Sequence, residues 1–170
     1  MMRYEDLIFK IPKESKTYRE DSQFVTQQIK AILDKRKSAD DCKIVLNTNL
    51  KFGLPLENIN KIAGPMIEAW ACEVFTGIRD ILDNEFKLIN VEAQQRLGMS
   101  DIVLQFKKNG SVMTGNIDVK ATANDIANSG KSPNITSFVR IRTAYVKDPD
   151  YMFIILSIKH KVYSERNKLA

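Results

Sequence analysis

Histidine and cysteine are scarce in this chain, with one histidine and two cysteines in 170 residues. The lone His160, in the lysine-flanked "IKHKVY", leaves no second imidazole for a multi-histidine zinc site. It fits a surface strand better than a general base. Cys42 and Cys72 show no metal-ligand or disulfide spacing, which points to reduced thiols in a cytosolic protein. No stretch approaches the ~18 consecutive apolar residues that a membrane helix needs. The N-terminal "MMRYEDLIFKIPKESK" lacks the apolar run of a signal peptide. A cytoplasmic protein with no membrane partner is therefore expected. Repeats, low-complexity tracts and long linkers are also missing, so one domain over residues 1–170 is the natural reading.

What is present is globular in kind: 44% hydrophobic and 28% charged residues. Lys and Arg number 26 against 21 Asp and Glu, a net charge of +5, and the pI is about 9.1. That balance suits a polyanionic partner without requiring one. Residues Asp21 to Lys37 read as an amphipathic helix, with Phe24, Val25, Ile29, Ile32 and Leu33 at helical spacing. Lys43 to Leu46 reads as a short strand or extended segment, and "KFGLPLEN" as a loop. Ile59 to Leu82 is a long helical candidate whose stripe is Ile62, Met66, Trp70, Val74, Ile78 and Leu82. Pro65 suits a first turn, which would start the helix proper near Gly64.

"KLINVE" follows as a short strand or extended piece. "SDIVLQFKK" and "SVMTGNIDVKAT" then flank Asn109-Gly110, a strong short-range hairpin signal. After a polar segment and "ITSFVRIRTAYV", the apolar run Met152 to Ile158 reads as a central strand buried on both faces. The expected fold is α/β or α+β, a mixed central β-sheet flanked by helices.

If Asn109 and Gly110 are the two turn residues, every cross-strand pair sums to 219 and Asp101 lies opposite Asp118. Lys120, two residues on, joins the same face. Ile102, Leu104, Phe106, Met113, Ile117 and Val119 fall on the other, uniformly apolar face. Like charges directly opposed across a sheet are destabilising. A divalent cation held between two carboxylates resolves the conflict. Neutralisation of two surface aspartates by Lys120 is the plainer alternative, and a bulge at Thr114-Gly115 would shift the register.

"SD" with Asp101 and "DVK" with Asp118 and Lys120 resemble the motif of the PD-(D/E)XK nucleases. The order of elements is similar too: a glutamate-bearing helix, the hairpin, then a helix and a further strand. The resemblance covers Gly64 to Ser157 and departs at Ser100, where the family often has proline. It implies a restriction-endonuclease-like core in which Asp101, Asp118 and the backbone carbonyl of Val119 hold Mg²⁺. Lys120 would position or deprotonate the attacking water, and a helical glutamate would assist. Glu68, in "GPMIEAW", matches that glutamate, with Glu73 the alternative.

The implied activity is Mg²⁺-dependent hydrolysis of double-stranded DNA. Among such nucleases a small chain with a polar recognition-like segment is most similar to a type II restriction endonuclease acting as a homodimer. A Holliday-junction resolvase, a repair nuclease and a non-catalytic nucleic-acid-binding domain are the alternatives. Asn124, Asn128, Lys131, Ser132, Asn134 and Ser137, with Arg140 and Arg142, are candidate DNA contacts. A polar surface loop is the alternative reading of that segment. Residues 1–60 would then be an N-terminal helical or dimerisation region, and 61–160 the catalytic core.

Overall fold

The computed structural model describes residues 11–39, 42–94, 98–124 and 138–163. Its elements are α1 (Tyr18–Ser38), α2 (Leu56–Arg79), β1 (Leu88–Ala93), β2 (Ile102–Lys108), β3 (Ser111–Ala123), α3 (Phe138–Lys147) and β4 (Met152–His160). The four strands form one sheet in the order β1-β2-β3-β4. The first three run antiparallel and β4 runs parallel to β3. The fold is α+β with a mixed sheet, as the sequence led us to expect.

The hairpin follows the expected register. Lys108 pairs with Ser111 and Ile102 with Ile117, without a bulge at Thr114-Gly115. Asn109 and Gly110 both take positive φ, 49° and 85°, the mirror-image turn whose twist matches the flanking strands. Alternation then sends Leu104, Phe106, Ile117 and Val119 into the core, where they meet Val25, Ile29 and Ile32 of α1 and Ala63, Ile67, Ala71 and Phe75 of α2. Both long helices therefore cover the same sheet face. On the other face Val103, Gln105, Thr114, Asn116, Lys120 and Thr122 stay partly exposed.

Helix α1 carries Glu20 and Asp21 in its first turn and Lys35, Arg36 and Lys37 in its last, matching the helix dipole at both ends. Its N-terminal turn is tied to the hairpin by Lys108, whose Nζ lies 2.8 Å from Asp21 and 3.0 Å from Glu20.

Three expectations need correction. Helix α2 begins at Leu56 rather than near Gly64, and Pro65 lies inside it. The proline removes the hydrogen bond to the Lys61 carbonyl, but both residues are exposed, so water can serve that carbonyl. The buried stripe of α2 is Ala63, Ile67, Ala71, Val74, Phe75 and Ile78, which shares Val74 and Ile78 with the expected one but replaces its N-terminal half. Ile62 is 43% exposed and Leu82, beyond the helix, 92%. Ala63 and Ala71 are buried in the core with Val74 and Ile78, and a stripe drawn from large apolar residues passes over such small ones.

Strand β4 is also not central. It is the last strand of the sheet formed by the described residues, with only Met152 buried and Ile155 44% exposed. An apolar run records burial potential, while the neighbours that would realise it lie elsewhere in the chain. Lys43 to Leu46 forms neither helix nor strand and is exposed. Among the described residues, no helix is long and apolar enough to cross a membrane.

Candidate active site

The ladder between β2 and β3 ends at Ile102 and Ile117, and the residues just past that end form the site. Asp101 is held on both sides by its backbone. Its N–H donates to the Ile117 carbonyl and its own carbonyl accepts from Gln94, each at 2.8 Å. Its carboxylate then turns to β3, where Oδ2 accepts the Val119 N–H at 2.7 Å. That bond replaces the backbone partner β2 would have supplied had it continued. In extended backbone a residue's N–H and C=O point to the same edge, so the Val119 carbonyl also faces Asp101.

Asp118 is 3% exposed although it lies on the open face of the sheet. Lys120 Nζ donates to its Oδ1 at 2.6 Å. Its Oδ2 is buried with no hydrogen-bond partner. An ionised oxygen left bare in a buried place is costly. Burial accordingly pushes the Asp118 carboxyl above the usual aspartate range. Lys120 opposes that shift and the Asp101 charge adds to it.

Glu68, on α2, lies in the field of the same cluster. Burial raises its carboxyl first, Asp101 and Asp118 raise it further, and Lys120 pulls it down. Glu73 lies on the exposed side of the helix. Three carboxylates and one ammonium leave a formal charge of −2 around a half-buried point, which favours a cation. Among the described residues no group of three or more His, Cys, Asp or Glu side chains is close enough to hold a metal ion. A hard cation with few protein ligands does not need one. Mg²⁺ typically takes one or two carboxylates and completes its shell with water and substrate phosphate oxygens.

The candidate DNA contacts are more dispersed. Asn128, Lys131, Ser132, Asn134 and Ser137 lie outside the described residues. Asn124 closes the end of β3, its N–H donating to the His160 carbonyl at 2.9 Å. Arg140 and Arg142 are on α3, a helix with no buried residue. Arg140 acts on Tyr151, opposing the upward push of burial and Tyr145 on that hydroxyl. Tyr151 precedes β4 and is four residues from Ile155, the partner of Asp118, a span of roughly 13 Å in extended chain. The structure thus associates Arg140 with the start of β4 rather than with the acidic cluster.

A cleft of about 770 Å³ lies at the opposite end of the hairpin, lined by Phe24, Arg79, Leu82, Lys87 and Lys107 among others. None of the acidic cluster lines it. The cluster sits instead at the other end of the hairpin, past the last pair of the β2–β3 ladder.

The model of the family described as "Type II restriction endonuclease HpaI" matches residues 5–170. The chain belongs to the type II restriction endonuclease HpaI family. It is similar to the type II restriction enzyme HpaI of Haemophilus parainfluenzae, with 67% identity over 167 residues. The match covers 98% of this chain and 66% of that relative, so the chain spans about two thirds of the relative's length.

HpaI-family membership agrees with the resemblance read from "SD" and "DVK". Two features of this HpaI-family chain had no signal in its sequence. Thr122 and Ser157 bring their hydroxyls within 3.2 Å, and Asn60 Oδ1 lies 3.2 Å from His160 Nε2. Both depend on how β4 docks in parallel beside β3, which no local pattern encodes.

Proposed function

We propose that this protein is a Mg²⁺-dependent endonuclease that hydrolyses phosphodiester bonds of double-stranded DNA at specific sites. The observation that carries the reading is the buried, partnerless Oδ2 of Asp118 beside Asp101. A divalent cation is the ligand this donor set fits: two acidic side chains, one with an oxygen lacking any hydrogen bond, and a backbone carbonyl facing the same point. Asp101, Asp118 and the Val119 carbonyl would hold it, with Glu68 in the field of the same groups.

Such an ion, when bound, lowers the pKa of water and counters charge on the pentacovalent phosphate. The chain's own groups supply the rest. Lys120 is held by Asp118 Oδ1 at 2.6 Å. From there it can donate to the attacking water and to the developing phosphate charge. Glu68, its carboxyl raised above the usual range, can hold or return a proton through water. Asp101 fixes the β3 backbone through Val119, so the two parts of the "DVK" motif keep one geometry.

Cleavage of both strands at one site calls for two active sites related by a two-fold axis, so we propose a homodimer on double-stranded DNA. Residues 1–60 are the proposed dimerisation region and 61–160 the catalytic core. The 66% coverage of the HpaI relative makes this a reading of the whole protein from about two thirds of a relative's length.

The deciding experiment incubates a sequenced plasmid with the protein and Mg²⁺, with and without EDTA. Discrete fragments that disappear with EDTA are expected. Absence of any EDTA-sensitive cleavage would overturn the reading. A smear, or a preference for four-way junctions, would move it to a repair nuclease or resolvase.

A further inference from the structure

Beyond Lys120, strand β3 continues on the open sheet face with Thr122, and β4 runs beside it in parallel. Lys120 pairs with Ser157 and Thr122 with Lys159. Alternation places Asp118, Lys120 and Thr122 of β3 on the same face as Ile155, Ser157 and Lys159 of β4. Both Ser157 and Lys159 are exposed. The Thr122 and Ser157 hydroxyls lie 3.2 Å apart. One O–H serves that mutual contact, which leaves the other hydrogen free to donate outward. Lys159 makes no hydrogen bond, ion pair or ring contact among the described residues. An uncommitted ammonium and an uncommitted O–H therefore stand side by side, two residues along the sheet from Lys120 and four from Asp118.

These are the donors that bind a phosphate diester: a point charge and a hydroxyl, with no carboxylate among the four face residues Lys120, Thr122, Ser157 and Lys159. Thr122 and Lys159 lie two residues, roughly 6.6 Å, beyond Lys120 and four residues, roughly 13 Å, beyond Asp118, a distance on the scale of a few nucleotide steps of a DNA strand at 3.4 Å of axial rise each. We propose that Thr122, Ser157 and Lys159 bind the backbone phosphate flanking the one that is cut, and so register the scissile phosphate over Asp101, Asp118 and Lys120. The inference rests on the endonuclease reading and adds to it a second phosphate site. Its residues are positioning residues for DNA and take no part in the chemical step.

The test measures binding of plasmid-derived duplex fragments in Ca²⁺, across a range of NaCl concentrations, for wild type, Lys159→Ala, Lys159→Arg and Ser157→Ala. Lys107→Ala, exposed at the opposite end of the hairpin, is the control for simple loss of charge. Lys159→Ala should lower the slope of log affinity against log salt by about one. In Mg²⁺ it should raise KM on the order of tenfold while kcat at saturating DNA changes by less than about twofold. Ser157→Ala should raise KM less, Lys159→Arg should restore the slope, and Lys107→Ala should leave slope and KM unchanged. Equal thermal unfolding midpoints verify that the variants fold, with Lys159→Gln replacing any alanine variant that does not.

If Lys159→Ala keeps the wild-type slope and KM while wild type binds and cuts DNA, the flanking site is wrong and the endonuclease reading stands. A fall in kcat with unchanged KM also overturns it. If wild type neither binds nor cuts DNA, both fail together.

Discussion

Asp101 Oδ2 accepts the backbone N–H of Val119 at 2.7 Å, and Val119 is the residue between Asp118 and Lys120. The hydrogen bond crosses from the end of one hairpin strand to the centre of the "DVK" triplet on the other. It spends one oxygen of Asp101 on fixing the backbone. Lys120 likewise occupies one oxygen of Asp118, leaving Asp118 Oδ2 buried without a partner. The site is thus braced by one half of its acidic groups and left open by the other.

Asp118→Asn should lower Mg²⁺-dependent cleavage by ~10³-fold or more without unfolding the protein. Its stability should depend on pH in a definite direction. Burial, the leading cause, raises the folded-state pKa of Asp118. A group raised in this way favours the fold fully below its unfolded pKa, about 3.9, and loses that contribution as pH rises through the folded value. The variant should therefore gain stability relative to wild type as pH rises from about 4 through the raised folded-state value. Urea unfolding of both proteins at several pH values measures this, and a relative loss over that range would contradict the assigned cause.

Protons and the cation should compete for the site. Asp118 and Glu68 both sit above the usual carboxylate range, so acidification protonates groups that a metal needs ionised. The Mg²⁺ concentration giving half-maximal plasmid cleavage should rise as pH falls from about 8 to about 6. A half-saturation value that stays level across that window would show that neither carboxyl takes up a proton there.

Glu68 and Glu73 are separable by substitution. Glu68→Gln should reduce kcat by roughly 10²-fold, because its carboxyl lies in the field of Asp101, Asp118 and Lys120. Glu73→Gln, on the exposed side of the helix, should cut within about twofold of wild type. The reverse result would assign the helical role to Glu73.

Gly115→Ala tests how α1 seats on the sheet. A Cβ there would stand 3.0 Å from Val25 Cγ1 and 3.5 Å from both Ile117 Cδ1 and Ile154 Cδ1. Overpacking of this kind costs about 1–3 kcal/mol. Val25→Ala removes the nearest atom, so the double variant should be more stable than the two single losses add up to. Strictly additive losses by chemical denaturation would mean that the helix moves away instead.

The sequence by itself determined the hairpin and the sorting of its faces. Asn109 and Gly110 accept positive φ at low cost, and a two-residue turn leaves one register for seven following pairs. Period-two alternation then decides which side chains share a face, because neighbouring residues of a strand point opposite ways. The facing of Lys120 onto Asp118 was legible for the same reason, whereas Asp101 lies past the last pair of the ladder and its bond to the Val119 N–H was not. Only the tertiary structure decided which residues complete the buried face of α2, since Val74 and Ile78 were legible from periodicity but the small Ala63 and Ala71 were not. It also made β4 the last described strand instead of a central one, and it brought Ser157 and Lys159 beside Thr122. A parallel pairing joins residues 37 positions apart through a crossover, so its register is set by packing across the chain and by no local turn.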